Sequence, residues 1–191
     1  MQFKKNDIVL RLIKESDITE RYLSWFSDKT VIQFLEVNNL KKKEVLDYIK
    51  LGIKNKSYFI FAVCVAETGL HIGNIKIGPI KHKYYVTDLV TVIGDKDYWG
   101  KGIASSAIKK AIEIAFDTLG LRKVSASIDS LNVGSLKSYV NAGMQVTANI
   151  PNYFMHNNNI FSDKIFVGCD NNKFKVENYN LKIMVNAFEK Y

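Results

Sequence analysis

The chain has 191 residues, 47% of them hydrophobic and 24% charged, with a formal charge of +8. That length fits one compact unit better than two domains, and the ordinary apolar fraction excludes wholesale disorder, collagen-like repeats and a long coiled coil. No run approaches the roughly 20 apolar residues that span a bilayer, and residues 1–10 carry Lys4, Lys5 and Asp7 where a signal peptide has its apolar core. Cys64 and Cys169 each lie in an apolar run and read as buried thiols of a reducing compartment, so a cytoplasmic location is expected. The lysines are scattered, whereas a nucleic-acid binder usually gathers its charge on one face or in one tail, yet net charge alone does not choose between nucleic acid, a nucleotide and a phosphate-rich cofactor; no membrane partner is expected, and the nucleic-acid reading is weighed below.

Residues 8–13 read as a strand, and Ser16 or Asp17 is placed to cap a helix carrying Tyr22, Leu23 and Phe26. Residues 42–53 read as a helix, with Val45, Ile49 and Ile53 four apart and Lys41, Lys42 and Lys43 as its solvated start. Residues 58–65 and 70–77 read as antiparallel strands around a Glu67-Thr68-Gly69 turn, the second closed by Gly78-Pro79. Residues 84–93 form a further strand, followed by a polar loop. From Ile103 the apolar positions run through Ala107, Ile108, Ala111, Ile112, Ala115, Phe116 and Leu119, the stripe of a helix that Gly120 ends. Then come a strand over 123–128, a helix over 132–142 ended by Gly143, and strands over 144–150 and 160–169 around a loop at 151–159. The tail carries Leu181, Met184, Val185 and Phe188, enough to dock as a helix; residues 1–170 are therefore read as the domain and 171–191 as an extension docked on it.

Two segments carry chemistry. The first is Tyr98-Trp99-Gly100-Lys101-Gly102-Ile103-Ala104, between a strand and a helix. The first turn of a helix leaves backbone N–H groups unpaired at the positive end of its dipole, and glycines before it let a ligand approach closely, so the segment can cradle phosphate. The same glycines also make a tight turn without a ligand. The dinucleotide fingerprint GxGxxG fails because position 105 is Ser, and no GxxxxGK[ST] run exists. The second segment is Asn132-Val133-Gly134-Ser135-Leu136-Lys137-Ser138-Tyr139, in which Asn132 is a good helix N-cap and Tyr139 lies two turns further along about the same face. A tyrosine at that position is more often core than catalytic. No metal-ligand spacing is present.

Together the two segments resemble the GNAT superfamily of acyl-CoA-dependent N-acetyltransferases, whose signature [QR]xxGx[GA] reads here Trp99-Gly100-Lys101-Gly102-Ile103-Ala104. The Trp departs from the general pattern and is similar to the branch holding ribosomal-protein-alanine and nucleotide-amino-sugar acetyltransferases. Ile72-Gly73-Asn74, Thr87-Asp88-Leu89, Gly143-Met144 and Asp163 match the same branch. The resemblance implies an α/β (α+β) single domain with a mixed, mostly antiparallel sheet of about seven strands, the fourth and fifth splayed apart, flanked by helices. It implies an acetyl-CoA-dependent N-acetyltransferase acting as a monomer or homodimer. The pyrophosphate of acetyl-CoA would lie on the backbone amides of Lys101, Gly102, Ile103 and Ala104, with Trp99, Gly100 and Ser105 also in the cofactor site, and the pantetheine arm along Leu89, Val90, Thr91, Val92 and Ile93. Asn132, Ser135 and Tyr139 would complete the cofactor site.

The implied reaction is direct attack of a primary amine on the thioester, without a cysteine nucleophile. Tyr139 resembles the family's general acid and Asn132 a residue that orders the cofactor arm or a water; Asp88 or His156 would serve as base. His71 and His82 read as turn residues. The expected acceptor is a nucleotide-linked amino sugar, stacked by Tyr153 and Phe154; the N-terminus of a ribosomal protein is the alternative. A polyamine is less favoured, because no acidic run is present. Of other classes, a non-catalytic CoA-binding protein and a nucleic-acid module are weighed. Tyr139 and Asn132 argue against the first, and the absence of interleaved basic and aromatic residues against the second.

Overall fold

The computed structural model describes residues 8–180 except Asn38, together with the backbone but not the side chain of Asn158; the expected tail helix around Leu181 and Phe188 lies outside the described residues. The strands are β1 (Ile8–Leu12), β2 (Phe59–Val65), β3 (His71–Lys81), β4 (Val86–Ile93), β5 (Lys123–Asp129), β6 (Gln145–His156) and β7 (Ile160–Asp170). The helices are α1 (Glu20–Trp25), α2 (Lys42–Lys54), α3 (Ile103–Glu113), continued by a π-helical turn over Ile114–Thr118, and α4 (Val133–Asn141). Among the described residues the seven strands form one sheet in the order β1-β2-β3-β4-β5-β7-β6. Every neighbouring pair is antiparallel except β4 and β5.

The sequence positions the helices by their apolar stripes. Ile103, Ala107, Ile108 and Ala111 of α3 are buried, as are Val45, Ile49 and Ile53 of α2. Side chains along a strand alternate between faces, so the register puts Phe61, Ile75 and Thr91 on one face and Ala62, Asn74 and Val92 on the other. Tyr139 of α4 reaches Thr91 on the first face. Tyr48 of α2 meets Lys76, whose Nζ lies 5.7 Å from the ring centroid, on the second.

Several local expectations need correction. Asp17 does not cap α1. It sits in a 3-10 turn and pairs with Arg11 through two bonds of 2.6 and 2.7 Å, while the Thr19 hydroxyl caps α1 from the Tyr22 N–H. Gly78-Pro79 does not end β3; the strand resumes after a register shift between Ile77 and Ile80. The stretch 151–159 is mostly strand, with a loop only at its end. Proline tolerates an edge strand because no ladder bond is asked of it there. The irregularity between Ile150 and Phe154 is held by Asp163, which accepts from the Asn152 N–H at 3.0 Å and the Asn149 side chain at 2.8 Å. These bonds keep the Asp163 carboxyl below the usual carboxylate range. His71 is no turn residue: it opens β3 with its ring against Tyr22 and Trp25, and burial lowers its pKa. His82 does lie in a turn, its Nδ1 2.5 Å from the Tyr179 hydroxyl.

Candidate active site

The parallel ladder between β4 and β5 is short: Val86, Thr87 and Asp88 pair with Lys123, Val124 and Ser125, and there it ends. Beyond it β4 still pairs with β3 from Leu89 to Ile93, but no described strand flanks its other side. The expected splay between the fourth and fifth strands is this gap.

The polar backbone of β4 turns toward the gap at alternate residues. The Tyr85 carbonyl accepts from Arg122 N–H at 2.7 Å, the Leu89 carbonyl from the Tyr139 hydroxyl at 3.1 Å, and the Ile93 carbonyl from the Trp99 indole at 2.7 Å. In a strand the N–H and C=O of one residue point the same way. The N–H groups of Leu89, Thr91 and Ile93 and the Thr91 carbonyl therefore face the gap, an open edge that an extended ligand can pair with. Val90 and Val92 turn their backbone to β3 instead.

At the end of β4 lies the glycine turn. Gly100 and Gly102 have φ of 70° and 76°, and a Cβ built on either meets nothing within 4 Å. Gly102 caps α3 with no side chain bonded to the helix end. The first intrahelical bond there runs from the Ser106 N–H to the Gly102 carbonyl, so the N–H groups of Ile103, Ala104 and Ser105 precede the ladder. Open space before an uncapped helix N-terminus fits a pyrophosphate. Trp99, the departure from the family pattern, ties this turn to the last carbonyl of β4. Lys101 lies with its Nζ 5.6 Å from the Tyr98 ring centroid.

Tyr139 stands over the gap. It is 3% exposed, and its hydroxyl lies 3.1 Å from the Leu89 carbonyl and 3.2 Å from Thr91 Oγ1. Burial pushes its pKa up to about 12; the bond with Thr91 opposes the rise and the charge of Asp88 adds to it. The phenol therefore holds its proton throughout the neutral range. Asn132 caps α4, its Oδ1 accepting from the Ser135 N–H at 3.1 Å, which engages the Ser135 amide as well.

The candidate bases lie on the other face. Asp88 accepts from the Ser125 hydroxyl at the last rung of the parallel ladder. Ser125, Ser127 and Asp129 alternate along β5 on that same face, and Asp129 lies about 13 Å further along at roughly 3.3 Å per residue. His156, at the end of β6, has its Nε2 3.0 Å from Asp129 Oδ2 and 2.8 Å from Ser162 Oγ. Tyr153 and Phe154 also lie on β6, with Lys164 Nζ 4.3 and 5.9 Å from their ring centroids. The structure thus gathers Tyr139 with the β4 edge and, separately, His156 with Asp129. Sequence reasoning named Thr91 only for its backbone and missed its hydroxyl beside Tyr139; it missed Ser125 and Asp129 altogether, because each earns its place through strand register rather than through a motif.

The family model for the acetyltransferase (GNAT) domain matches residues 7–145, and the chain belongs to that family. Among curated relatives, the uncharacterized N-acetyltransferase p20 of Bacillus licheniformis is 31% identical over 77 residues, 40% of this chain and 43% of that protein. The probable N-acetyltransferase YjcK of Bacillus subtilis is 26% identical over 103 residues, 54% of this chain and 56% of that protein. The chain thus spans about half the length of these two relatives. Among solved structures, spermidine N-acetyltransferase from Vibrio cholerae in complex with CoA and spermine superposes with a TM-score of 0.76 at 17% identity, covering 87% of this chain and 97% of that one. At that identity the likeness shows the fold.

Proposed function

We propose that this protein transfers an acetyl group from acetyl-CoA directly to a primary amine. The observation that carries the reading is the open edge of β4 with the Tyr139 hydroxyl beside it, between the Leu89 carbonyl and Thr91 Oγ1. Acetyl-CoA supplies the activated thioester. The amides of Gly102, Ile103, Ala104 and Ser105 hold its pyrophosphate, and the Leu89, Thr91 and Ile93 backbone receives the pantetheine arm as an added strand. The gap-facing N–H groups polarise the acyl carbonyl, and Tyr139 gives its proton to the departing thiolate. We assign catalysis to residues 1–170 and read the rest as an extension, of which the described residues 171–180 pack on the domain. Tyr179 packing 4.9 Å from the Tyr85 ring and the Asn180 N–H on the Leu119 carbonyl support that division.

For the acceptor we favour a small molecule with more than one amine, such as a polyamine. Sequence reasoning set polyamines aside for want of an acidic run. The register puts Asp88 and Asp129 on one face although 41 positions separate them in the sequence, and two carboxylates there attract a cation with two centres. The spermine in the Vibrio cholerae relative points the same way. A nucleotide-linked amino sugar is the second reading. It rests on the exposed Tyr153 ring with Lys164 over it, a pair suited to stacking a sugar or base beside a phosphate.

The test is acetyl transfer from acetyl-CoA to spermidine, D-glucosamine 1-phosphate and an alanyl hexapeptide, read by mass spectrometry. Acetyl-spermidine as the main product supports the favoured acceptor, and acetylated sugar phosphate the second reading. Acetylated peptide alone overturns both acceptor readings. No acetylated amine overturns the activity.

A further inference from the structure

Resting on the proposed acetyl transfer, we propose that Asp129 and His156 form a proton-accepting dyad in which His156 Nδ1 takes the proton from the acceptor ammonium. Asp129 holds the ring in the tautomer that leaves Nδ1 open.

The argument starts from hydrogen-bond bookkeeping. A carboxylate only accepts, so at 3.0 Å from Asp129 Oδ2 the His156 Nε2 carries the hydrogen. Ser162 Oγ, 2.8 Å from the same nitrogen and 4% exposed, shares that N–H. In a neutral imidazole the other nitrogen then bears the lone pair. Among the described residues Nδ1 has no protein partner, and the His156 side chain is 30% exposed, so a ligand reaches the ring.

Asp129 is built to hold this orientation. It is 8% exposed, yet its other oxygen accepts from the Leu131 N–H at 2.9 Å, and its backbone carbonyl accepts from the Asn132 N–H at 2.8 Å. A buried carboxylate needs such partners. These bonds also form the turn that starts α4, the helix bearing Tyr139. One residue thus anchors the base on one sheet face and the helix of the acid on the other, with the gap between them.

The protons balance. The acceptor enters as an ammonium and leaves as an amide, losing two protons. His156 Nδ1 takes the first, keeping the N–H electron pair on the amine, and releases it to water; Asp129 stabilises the imidazolium meanwhile. The amine forms its C–N bond as the C–S bond breaks. The thiolate takes the Tyr139 proton, and the second proton from nitrogen restores the phenol.

The experiment uses the full chain, acetyl-CoA and whichever panel amine turns over fastest. His156→Ala should lower kcat about 100-fold, the low end for general base catalysis, leave the KM for acetyl-CoA unchanged, and regain activity with added imidazole. Asp129→Asn should lower kcat at least tenfold. Nitrogen-15 NMR of the free protein should report Nε2–H in the parent and a shift toward Nδ1–H in Asp129→Asn, a readout independent of turnover. A His156→Ala variant within about threefold of the parent, or an Nδ1–H tautomer in the folded parent, overturns the dyad. Those results leave amine acetylation standing, whereas loss of the dyad's tautomer cannot explain a parent that acetylates no amine at all.

Discussion

The two halves of the sheet are built differently. In β2 and β3 most residues are buried, with Phe59, Ala62, Val63, Ile72, Ile75 and Ile77 at 0% exposure. In β6, by contrast, no residue is buried, and Val146, Tyr153 and Met155 are more than half exposed. β2 and β3 are covered on both faces; β6 is an edge strand, with a proline and a side-chain-held irregularity. Only three parallel rungs join the halves. A sheet so weakly stitched at its middle opens there, and the opening is where the polar backbone of β4 becomes available to a ligand. The more buried half sets that backbone, and the more exposed half brings the far wall.

The comparison can be broken or sharpened by substitution. The largest effect is expected at the seam itself. Tyr139→Phe keeps the ring but removes the proton, so kcat should fall by ~10²–10⁴ with acetyl-CoA affinity retained. Steady-state kinetics with calorimetric binding checks this, and a loss below threefold would make Tyr139 a packing residue only. In the covered half, Ile75→Ala should cost about 2–5 kcal/mol in chemical denaturation, because a closely packed strand cannot collapse around the void.

Smaller is Asp17→Asn, expected to cost about 1–3 kcal/mol by weakening the paired bonds to Arg11. Burial opposes ionisation of Asp17, but the Arg11 and Lys14 bonds outweigh it and its folded pKa lies below the usual carboxylate value. A depressed folded pKa contributes stability that is present above the unfolded value of about 3.9 and is lost as pH falls through the folded one. The parent should therefore lose stability relative to Asp17→Asn as it is acidified below about pH 4; parallel stability curves for the two would sink this account.

Gly102→Val should weaken acetyl-CoA binding about tenfold, since its side chain enters the open space before α3, and should cost about 1–2 kcal/mol for the left-handed backbone. Titration calorimetry on a folded sample decides it, and unchanged affinity removes the phosphate cradle. The smallest effect belongs to the exposed edge. Val146→Ala should change stability by no more than about 0.5 kcal/mol, and a cost like that of Ile75→Ala would mean that β6 is covered in solution.

Most strands and the α2 and α3 helices were readable because apolar periodicity is a local signal: Val45, Ile49 and Ile53 face the core wherever the helix docks. The glycine turn and the Asn132 cap were readable too, since both act through backbone geometry fixed within a few residues. The run through Pro151 was misread as loop, because an edge position, which alone makes a proline harmless in a strand, is a property of the sheet order. The cap at Asp17 was misread because Arg11, on the neighbouring strand, claims that carboxylate.

The amino-acid order by itself determined most of the elements, the glycine turn before α3 and the family, because each depends on spacings along the chain. The tertiary structure alone decided where the sheet opens, which carbonyls of β4 face the gap, and that Thr91 meets Tyr139 and Asp129 meets His156. Those contacts join residues 48 and 27 positions apart. Strand register, set when whole faces bury together, is what brings them within hydrogen-bond reach.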